Sequence, residues 1–393
     1  VRALVLVDGE HYLPVVRDAL AALPYEVAGV LLVGGGEKLR GGEDYGVPRV
    51  ASLDELAVDV VVDLSDEPVL GPRERMLWAS RALALGLPYE GADFRFEPPR
   101  FEEVARPSLA VVGTGKRIGK TAVTGHVARL LAQDRRVVVV AMGRGGPAEP
   151  EVVESPPGLA ELVALARSGR HAASDHLETA ALAGVPTVGC RRAGGGLAGA
   201  TFDSNVLEGA RAALELDPDL LVFDGSGAAL PPVAADARIL VTSGAQDIGE
   251  GLNAYRVLIS DLVVDTGGAD HAAIRRIADV PIVRAELRLR PQQPLAGRRT
   301  AVFTTGPAPT AHLDADVVHV SRNLARRDAL REDLADVDAD AEVYLVELKA
   351  AAVDVVAEVA LERGAEVVLA ANDVVAEGLD ERVRDLVAVG ATP

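Results

Sequence analysis

Nine consecutive residues, Gly113-Thr114-Gly115-Lys116-Arg117-Ile118-Gly119-Lys120-Thr121, carry the clearest chemistry in this 393-residue chain. Glycines let backbone N–H groups curl around phosphate oxygens, and a helix starting just after them adds the positive end of its dipole. A lysine at position 120 would reach the β- and γ-phosphates of a nucleotide, and the Thr121 hydroxyl would ligate Mg²⁺. The apolar run Leu109 to Val112 precedes the turn and an amphipathic pattern follows it, so the segment reads as strand, phosphate loop and helix. The chain is therefore expected to be an enzyme that uses a nucleoside triphosphate. Lys116 and Arg117 add cations that a merely structural turn would not need.

The loop departs from the usual spacing of glycine, four residues, then Gly-Lys-Thr. Thr114 occupies the first position and Gly113 stands one residue early. That spelling resembles the loop of dethiobiotin synthetase and related ligases. A partitioning-ATPase loop would place its signature lysine at position 115, which is glycine.

Four further clusters could serve a phosphorylated substrate. The run Leu220-Leu221-Val222-Phe223-Asp224 is a buried strand ending in a carboxylate, so Asp224 is a candidate Mg²⁺ ligand or else a cap for the following Gly225-Ser226-Gly227 turn. Met142-Gly143-Arg144-Gly145-Gly146-Pro147 surrounds one arginine with glycines, and an anion there would meet both backbone and guanidinium. Glu149 and Glu151 are further candidates, as Mg²⁺ ligands or as loop anchors. Arg191 and Arg192 stand beside Gly194, Gly195 and Gly196, and guanidinium forks suit bidentate phosphate contacts. His176, in Ser174-Asp175-His176-Leu177-Glu178, could donate to a phosphate. Cys190 could be activated by its arginine neighbours, but a small buried filler explains it as well. Asp8-Gly9-Glu10-His11-Tyr12 closes the first strand, where α/β folds place ligands. Lys116, Lys120 and Arg144 are the expected catalytic cations; Arg144, His176, Arg191 and Arg192 the expected substrate ligands; Thr121, Asp224 and Glu149 the expected metal ligands.

The elements that must position these residues alternate between β and α. The fold class expected is a small Rossmann-like α/β domain over residues 1–100, a linker at 101–107, a P-loop core with a mostly parallel, doubly wound sheet over 108–297, and an α/β portion over 298–393 packed on the core. Strands are expected at Ala3–Val7, Val27–Val33, Val58–Leu64, Leu109–Val112, Val137–Met142, Leu220–Phe223, Ile239–Thr242, Leu262–Asp265 and Pro281–Val283, with four more after residue 299. Helices are expected at Leu13–Leu23, Leu53–Leu56, Pro72–Leu85, Leu159–Arg167, Asn205–Leu216 and Ala350–Arg363.

Composition narrows the class. A net charge of −19 argues against nucleic-acid and anionic-membrane partners. It fits phosphate substrates only if the cations gather in one cleft. No apolar run reaches the roughly 18 residues of a membrane span. One cysteine excludes an intrachain disulfide framework and suits a reducing cytoplasm.

Taken in order, the Asp8, Gly113–Thr121, Met142–Pro147, Ser174–Glu178, Gly189–Arg192 and Asp224–Gly227 blocks resemble the cyclic 2,3-diphosphoglycerate synthetase family along the whole chain, most densely from 108 to 230. That resemblance implies an ATP-dependent ligase closing an intramolecular phosphoanhydride in 2,3-diphosphoglycerate, with Mg²⁺ and in the cytoplasm; a homodimer is expected separately. It leaves two alternatives: another kinase or ligase of the dethiobiotin-synthetase group, or a nucleotide-switch binding protein.

Overall fold

The computed structural model describes residues 1–39, 41–158, 160–161, 163–164, 175–306, 308–348 and 353–389. Three sheets divide them. The first contains β1 (Arg2–Val7), β2 (Glu26–Leu32), β3 (Arg49–Val50), β4 (Val60–Asp63), β5 (Tyr89–Glu90) and β6 (Arg95–Phe96), in the order β3-β2-β1-β4-β5-β6. All its pairings are parallel except the β5–β6 turnback. Helices Leu13–Ala22 and Pro72–Ala84 supply its crossovers, each with proline in its first turn, where the missing N–H costs nothing. The expected helix at Leu53–Leu56 is absent. Four residues cannot offset helix nucleation, and the Glu55 carboxylate instead accepts from the N–H groups of Ala51 and Ser52 at 2.7 and 2.8 Å.

The second sheet carries the phosphate loop. Its strands are β7 (Ser108–Gly113), β8 (Val137–Gly143), β9 (Glu151–Val153), β10 (Thr187–Ala193), β11 (Asp203–Ser204), β12 (Leu220–Asp224), β13 (Ala237–Thr242), β14 (Leu262–Asp265) and β15 (Ile282–Arg284). The order is β11-β10-β8-β12-β7-β13-β14-β15, parallel from β10 to β15, with β9 and β11 antiparallel to β10. Side-chain alternation sorts its residues onto two helix-covered faces. Leu109, Val111, Val139 and Val222 meet helix Lys120–Leu131, whereas Ala110, Val112, Val140 and Phe223 join a core shared with helix Val206–Leu214 and with Leu83 and Tyr89 of the first unit. Strands buried on both sides explain the unbroken valine runs. The expected helix Leu159–Arg167 falls largely outside the described residues.

The third sheet has β16 (Glu286–Pro291), β17 (Arg299–Phe303), β18 (Asp316–Ser321), β19 (Val343–Glu347) and β20 (Glu366–Val375) in the order β16-β20-β19-β17-β18. β16 pairs antiparallel with β20, so the chain leaves the central sheet at Arg284 and enters the third at Glu286, ahead of the boundary expected at 297. Helix Leu379–Val389 returns to pack on helix Lys120–Leu131, with His126 Nε2 2.7 Å from Asp380 Oδ1. Among the described residues no helix is long and apolar enough to cross a membrane.

Candidate active site

The phosphate loop joins β7 to helix Lys120–Leu131 at the carboxyl edge of the central sheet. Gly119 takes a left-handed φ of +77°, which strains any residue with a Cβ, and a Cβ there would also fall 2.6 Å from Leu287 Cδ1. Arg117 adopts φ +61°, uncommon for a non-glycine residue. Flanking loops brace the turn. Thr266 Oγ1 donates to the Ile118 carbonyl at 2.7 Å, and Thr114 Oγ1 lies 3.1 Å from Thr242 Oγ1.

β12 is β7's neighbour, and its last residue, Asp224, is fully buried. Lys120 Nζ pairs with Asp224 Oδ1, and Thr124 Oγ1 donates to the same oxygen at 2.8 Å. Asp224 Oδ2 is buried and has no hydrogen-bond partner among the described residues. A buried carboxylate oxygen with no donor suits a hard cation, and Thr121, also buried, adds a hydroxyl on the first turn of the neighbouring helix. Glu149 is exposed on the loop after β8, and no group of three or more His, Cys, Asp or Glu side chains able to hold a metal occurs among the described residues.

Just past Asp224 the backbone turns through Gly227, at φ +60°. A Cβ on Gly227 would sit 3.5 Å from Arg144 Nη2, 3.7 Å from Lys116 Cγ and 3.9 Å from Arg192 Nη2. Three cationic residues from three segments thus converge on one glycine, Arg144 and Arg192 by their guanidinium groups and Lys116 by its aliphatic stem. Arg192 is buried, and its guanidinium donates to the carbonyls of Gly194 at 2.5 Å and Ser226 at 2.9 Å.

The structure separates the other expected ligands from this point. Arg191 and Arg192 are consecutive residues of β10, so their side chains leave opposite faces of the sheet. Arg191 is exposed and makes no ion pair among the described residues. His176 is buried on Arg191's face: a Cβ on Gly189 would fall 2.6 Å from His176 Cδ2. Ser174 lies outside the described residues. Burial pushes the Cys190 thiol up to about 12, and its sulfur packs against Gly209, so it is filler and not a nucleophile.

Comparison with known proteins covers all three units. The descriptions "Cyclic 2,3-diphosphoglycerate synthetase" N-terminal domain, P-loop domain and C-terminal domain match residues 2–97, 108–283 and 291–373. A cyclic 2,3-diphosphoglycerate synthetase of Rubrobacter xylanophilus is 48% identical over 96% of this chain and 95% of its own. Those of Thermococcus kodakarensis and Methanothermus fervidus are 42% and 37% identical, each over 94% of this chain and over 94% and 92% of their own. The chain belongs to the cyclic 2,3-diphosphoglycerate synthetase family. The fold is also similar to LpxK from Aquifex aeolicus, solved in complex with ATP, at TM-score 0.46 and 16% identity over 75% of this chain and 91% of that one.

Two supports of this synthetase-family site, Asn205 and Arg256, escape motif reading, and Asp8, already singled out in the sequence, braces the first unit. Asn205, ahead of helix Val206–Leu214, accepts from Arg191 N–H at 2.7 Å and donates to the carbonyls of Pro147 and Ala148, both at 3.2 Å. It ties the Arg144 loop to the end of β10. Arg256, 2% exposed, donates to the Ala228, Leu197 and Leu252 carbonyls and so props the Gly227 turn from below. Burial lowers its pKa, and the carbonyls replace water around the charge. Asp8, in the first unit, accepts from the Glu10, His11 and Asp66 N–H groups and lies 2.8 Å from His11 Nδ1. It cross-links the ends of β1 and β4. Among these, only Asp8 carries a sequence signal, a carboxylate just past a buried strand.

Proposed function

We propose that this chain closes the phosphoanhydride ring of 2,3-diphosphoglycerate at the expense of ATP, releasing ADP and inorganic phosphate. The observation that carries the reading is the meeting of Lys116, Arg144 and Arg192 at Gly227, one turn beyond the Lys120–Asp224 pair. A substrate with two phosphates and a carboxylate, met by a triphosphate, needs concentrated positive charge, and a chain of net −19 supplies it at one point.

The loop from Gly113 to Thr121 holds the triphosphate, with Lys120 on its β- and γ-phosphates. Arg144 and Arg192 hold the diphosphoglycerate, and Lys116 lies between the two. An oxygen of one substrate phosphate attacks the γ-phosphorus; a new P–O bond forms and the bond to ADP breaks. The neighbouring phosphate then attacks the substrate phosphorus that carries the added group. The cyclic anhydride forms and inorganic phosphate departs. Both nucleophiles are already anions, so no general base is required, and positioning and charge neutralisation carry the rate. Holding the two phosphates together is worth an effective molarity on the order of 10⁵ M.

Thr121 and the free oxygen of Asp224 would hold Mg²⁺, which supplies further charge neutralisation when bound. Arg191, His176 and the exposed Glu149 belong to the outer margin of this scheme. The setting is a reducing cytoplasm and the working form a homodimer, which sedimentation would check. The deciding experiment is a ³¹P spectrum of the protein with Mg-ATP and 2,3-diphosphoglycerate. A cyclic anhydride signal rising with ADP is expected; ADP formation without that signal refutes the assignment.

A further inference from the structure

A second cluster of cations faces a different cavity. About 460 Å³ of space opens between the phosphate loop and the third sheet. Arg117, Gly119 and Ala122 line it on one side; Arg322, Arg326 and Glu347 line it on the other. Arg117, Arg322 and Arg326 are exposed and make no ion pair with any described residue. In a chain with so large an acidic excess, three arginines without carboxylate partners around one cavity mark a place for an anionic ligand.

The direction of the phosphate loop says which end of the ligand this is. The loop backbone cradles the α- and β-phosphates while the lysine reaches the β- and γ-phosphates. Lys120 Nζ points to Asp224 on β12, so the γ end lies on the β12 side of β7. The α end, and whatever it carries, must leave on the other side, toward β13, β14 and the start of β16. Gly119 abuts Leu287 and Thr266 on that side, and the cavity opens there.

The third sheet contributes the rest. β17 lies between β18 and β19, so the chain runs outward from it in both directions, and the ends of β17 and β19 flank a topological switch point. Open parallel sheets bind ligands outside the strand ends at such points. Glu347 ends β19 there, only 7% exposed, and is held in place. Its Oε2 accepts from Thr305 N and Oγ1 at 2.7 and 2.9 Å, and its Oε1 from Asn372 Nδ2 at 2.6 Å. Oε2 thus already accepts two hydrogen bonds, whereas Oε1 accepts one and keeps a lone pair for another donor.

We infer that this cavity holds the nucleoside half of the ATP, so that the C-terminal portion selects the nucleotide. Glu347 Oε1 accepts from a ribose hydroxyl. Arg117 meets the α-phosphate, and the planar guanidinium groups of Arg322 and Arg326 offer faces on which a base stacks. The inference rests on the nucleotide reading of the phosphate loop but not on the identity of the second substrate.

Calorimetric titration without diphosphoglycerate tests it, using ADP, 2′,3′-dideoxy-ADP and inorganic tripolyphosphate on the full chain. The wild type should bind ADP about tenfold or more tighter than the dideoxy analogue, the difference made by hydrogen bonds to a charged group. In Glu347→Gln that ratio should fall toward one, with tripolyphosphate binding unchanged. Arg326→Ala, at an exposed and unpaired position, should weaken ADP and leave the dideoxy ratio intact. ADP binding unaltered in both variants overturns the inference, as does an equal loss of tripolyphosphate. Normal ADP binding in both, with weakened binding in a separate titration of diphosphoglycerate alone, would make the cavity a site for the other substrate, which also overturns it. A wild type that follows these nucleotide expectations but forms no cyclic anhydride would refute the proposed reaction alone.

Discussion

Replacing Asp224 with asparagine tests the electrostatics of the site without relying on turnover. Asp224 is fully buried, and the Lys120 side chain is 10% exposed. Asparagine keeps an oxygen for Thr124 but leaves the ammonium of Lys120 without a counter-charge. Breaking a buried pair by removing one partner costs about 3–5 kcal/mol. Lys120 opens to solvent at its tip and can turn toward water, so the lower end applies, about 3 kcal/mol. For a domain the size of the central unit, that corresponds to a fall of roughly 6–12 °C in Tm. Lys120→Met should cost more, because the Asp224 carboxylate cannot reach water and keeps only the Thr124 hydroxyl. The double variant Lys120→Met/Asp224→Asn should be more stable than Lys120→Met, since no unpaired charge remains. Differential scanning calorimetry of the core transition, without nucleotide, reads all three. A Tm for Asp224→Asn within about 2 °C of wild type, or additive losses in the double variant, would refute the buried-pair reasoning.

Arg192→Lys should raise KM for diphosphoglycerate about tenfold or more, because a point charge cannot reproduce the fork, while Arg191→Ala changes it less than about threefold; equal effects would remove the distinction between the two faces of β10. Asn205→Ala should free the Arg144 loop from β10, so that trypsin cuts after Arg144 faster than in wild type and KM for diphosphoglycerate rises with KM for ATP unchanged. For Asp8, burial pushes the carboxyl up, but the His11 ring and the Asp66, His11 and Glu10 N–H groups outweigh it and hold the pKa below its ordinary 3.8. A depressed native pKa gives stability that is full above the unfolded value and lost as pH falls through the native one. The stability gap between wild type and Asp8→Asn should therefore stay constant from neutral pH down to about 5 and close below 3.8 in an acid-unfolding series; a gap independent of pH down to 2 would contradict it.

Much of the scaffold is legible in the residues alone. The strands leading to the phosphate loop and to Asp224 are short apolar runs with abrupt polar ends, and a strand buried on both faces leaves no other reading. The loop itself is local chemistry: the same residues supply the glycines, the lysine and the helix start. The resemblance to the synthetase family likewise rests on consecutive blocks.

β10 shows where local reading stops. Gly189, Cys190, Arg191 and Arg192 look like a polar turn, because the strand's apolar run is interrupted and its partner β8 lies some 45 residues upstream. Only pairing with β8 makes it a strand, and only a strand sends the two arginines to opposite faces. Helix Asp175–Ala183 follows the same logic, since what it buries is β8 and β10. β16 was likewise hidden, as its partner β20 comes some 80 residues later.

The sequence by itself determined the class of chemistry, because phosphate binding by a glycine turn and a helix start is built from neighbouring residues. Tertiary structure decided which cations act together. Lys116, Arg144 and Arg192 come from three separate segments and meet only because β12 stands between β7 and β8 and leads into the turn at Gly227. It also decided that Arg256 lies buried beneath that turn and that Glu347 faces the phosphate loop, since long-range strand order, and no local preference, sets both distances.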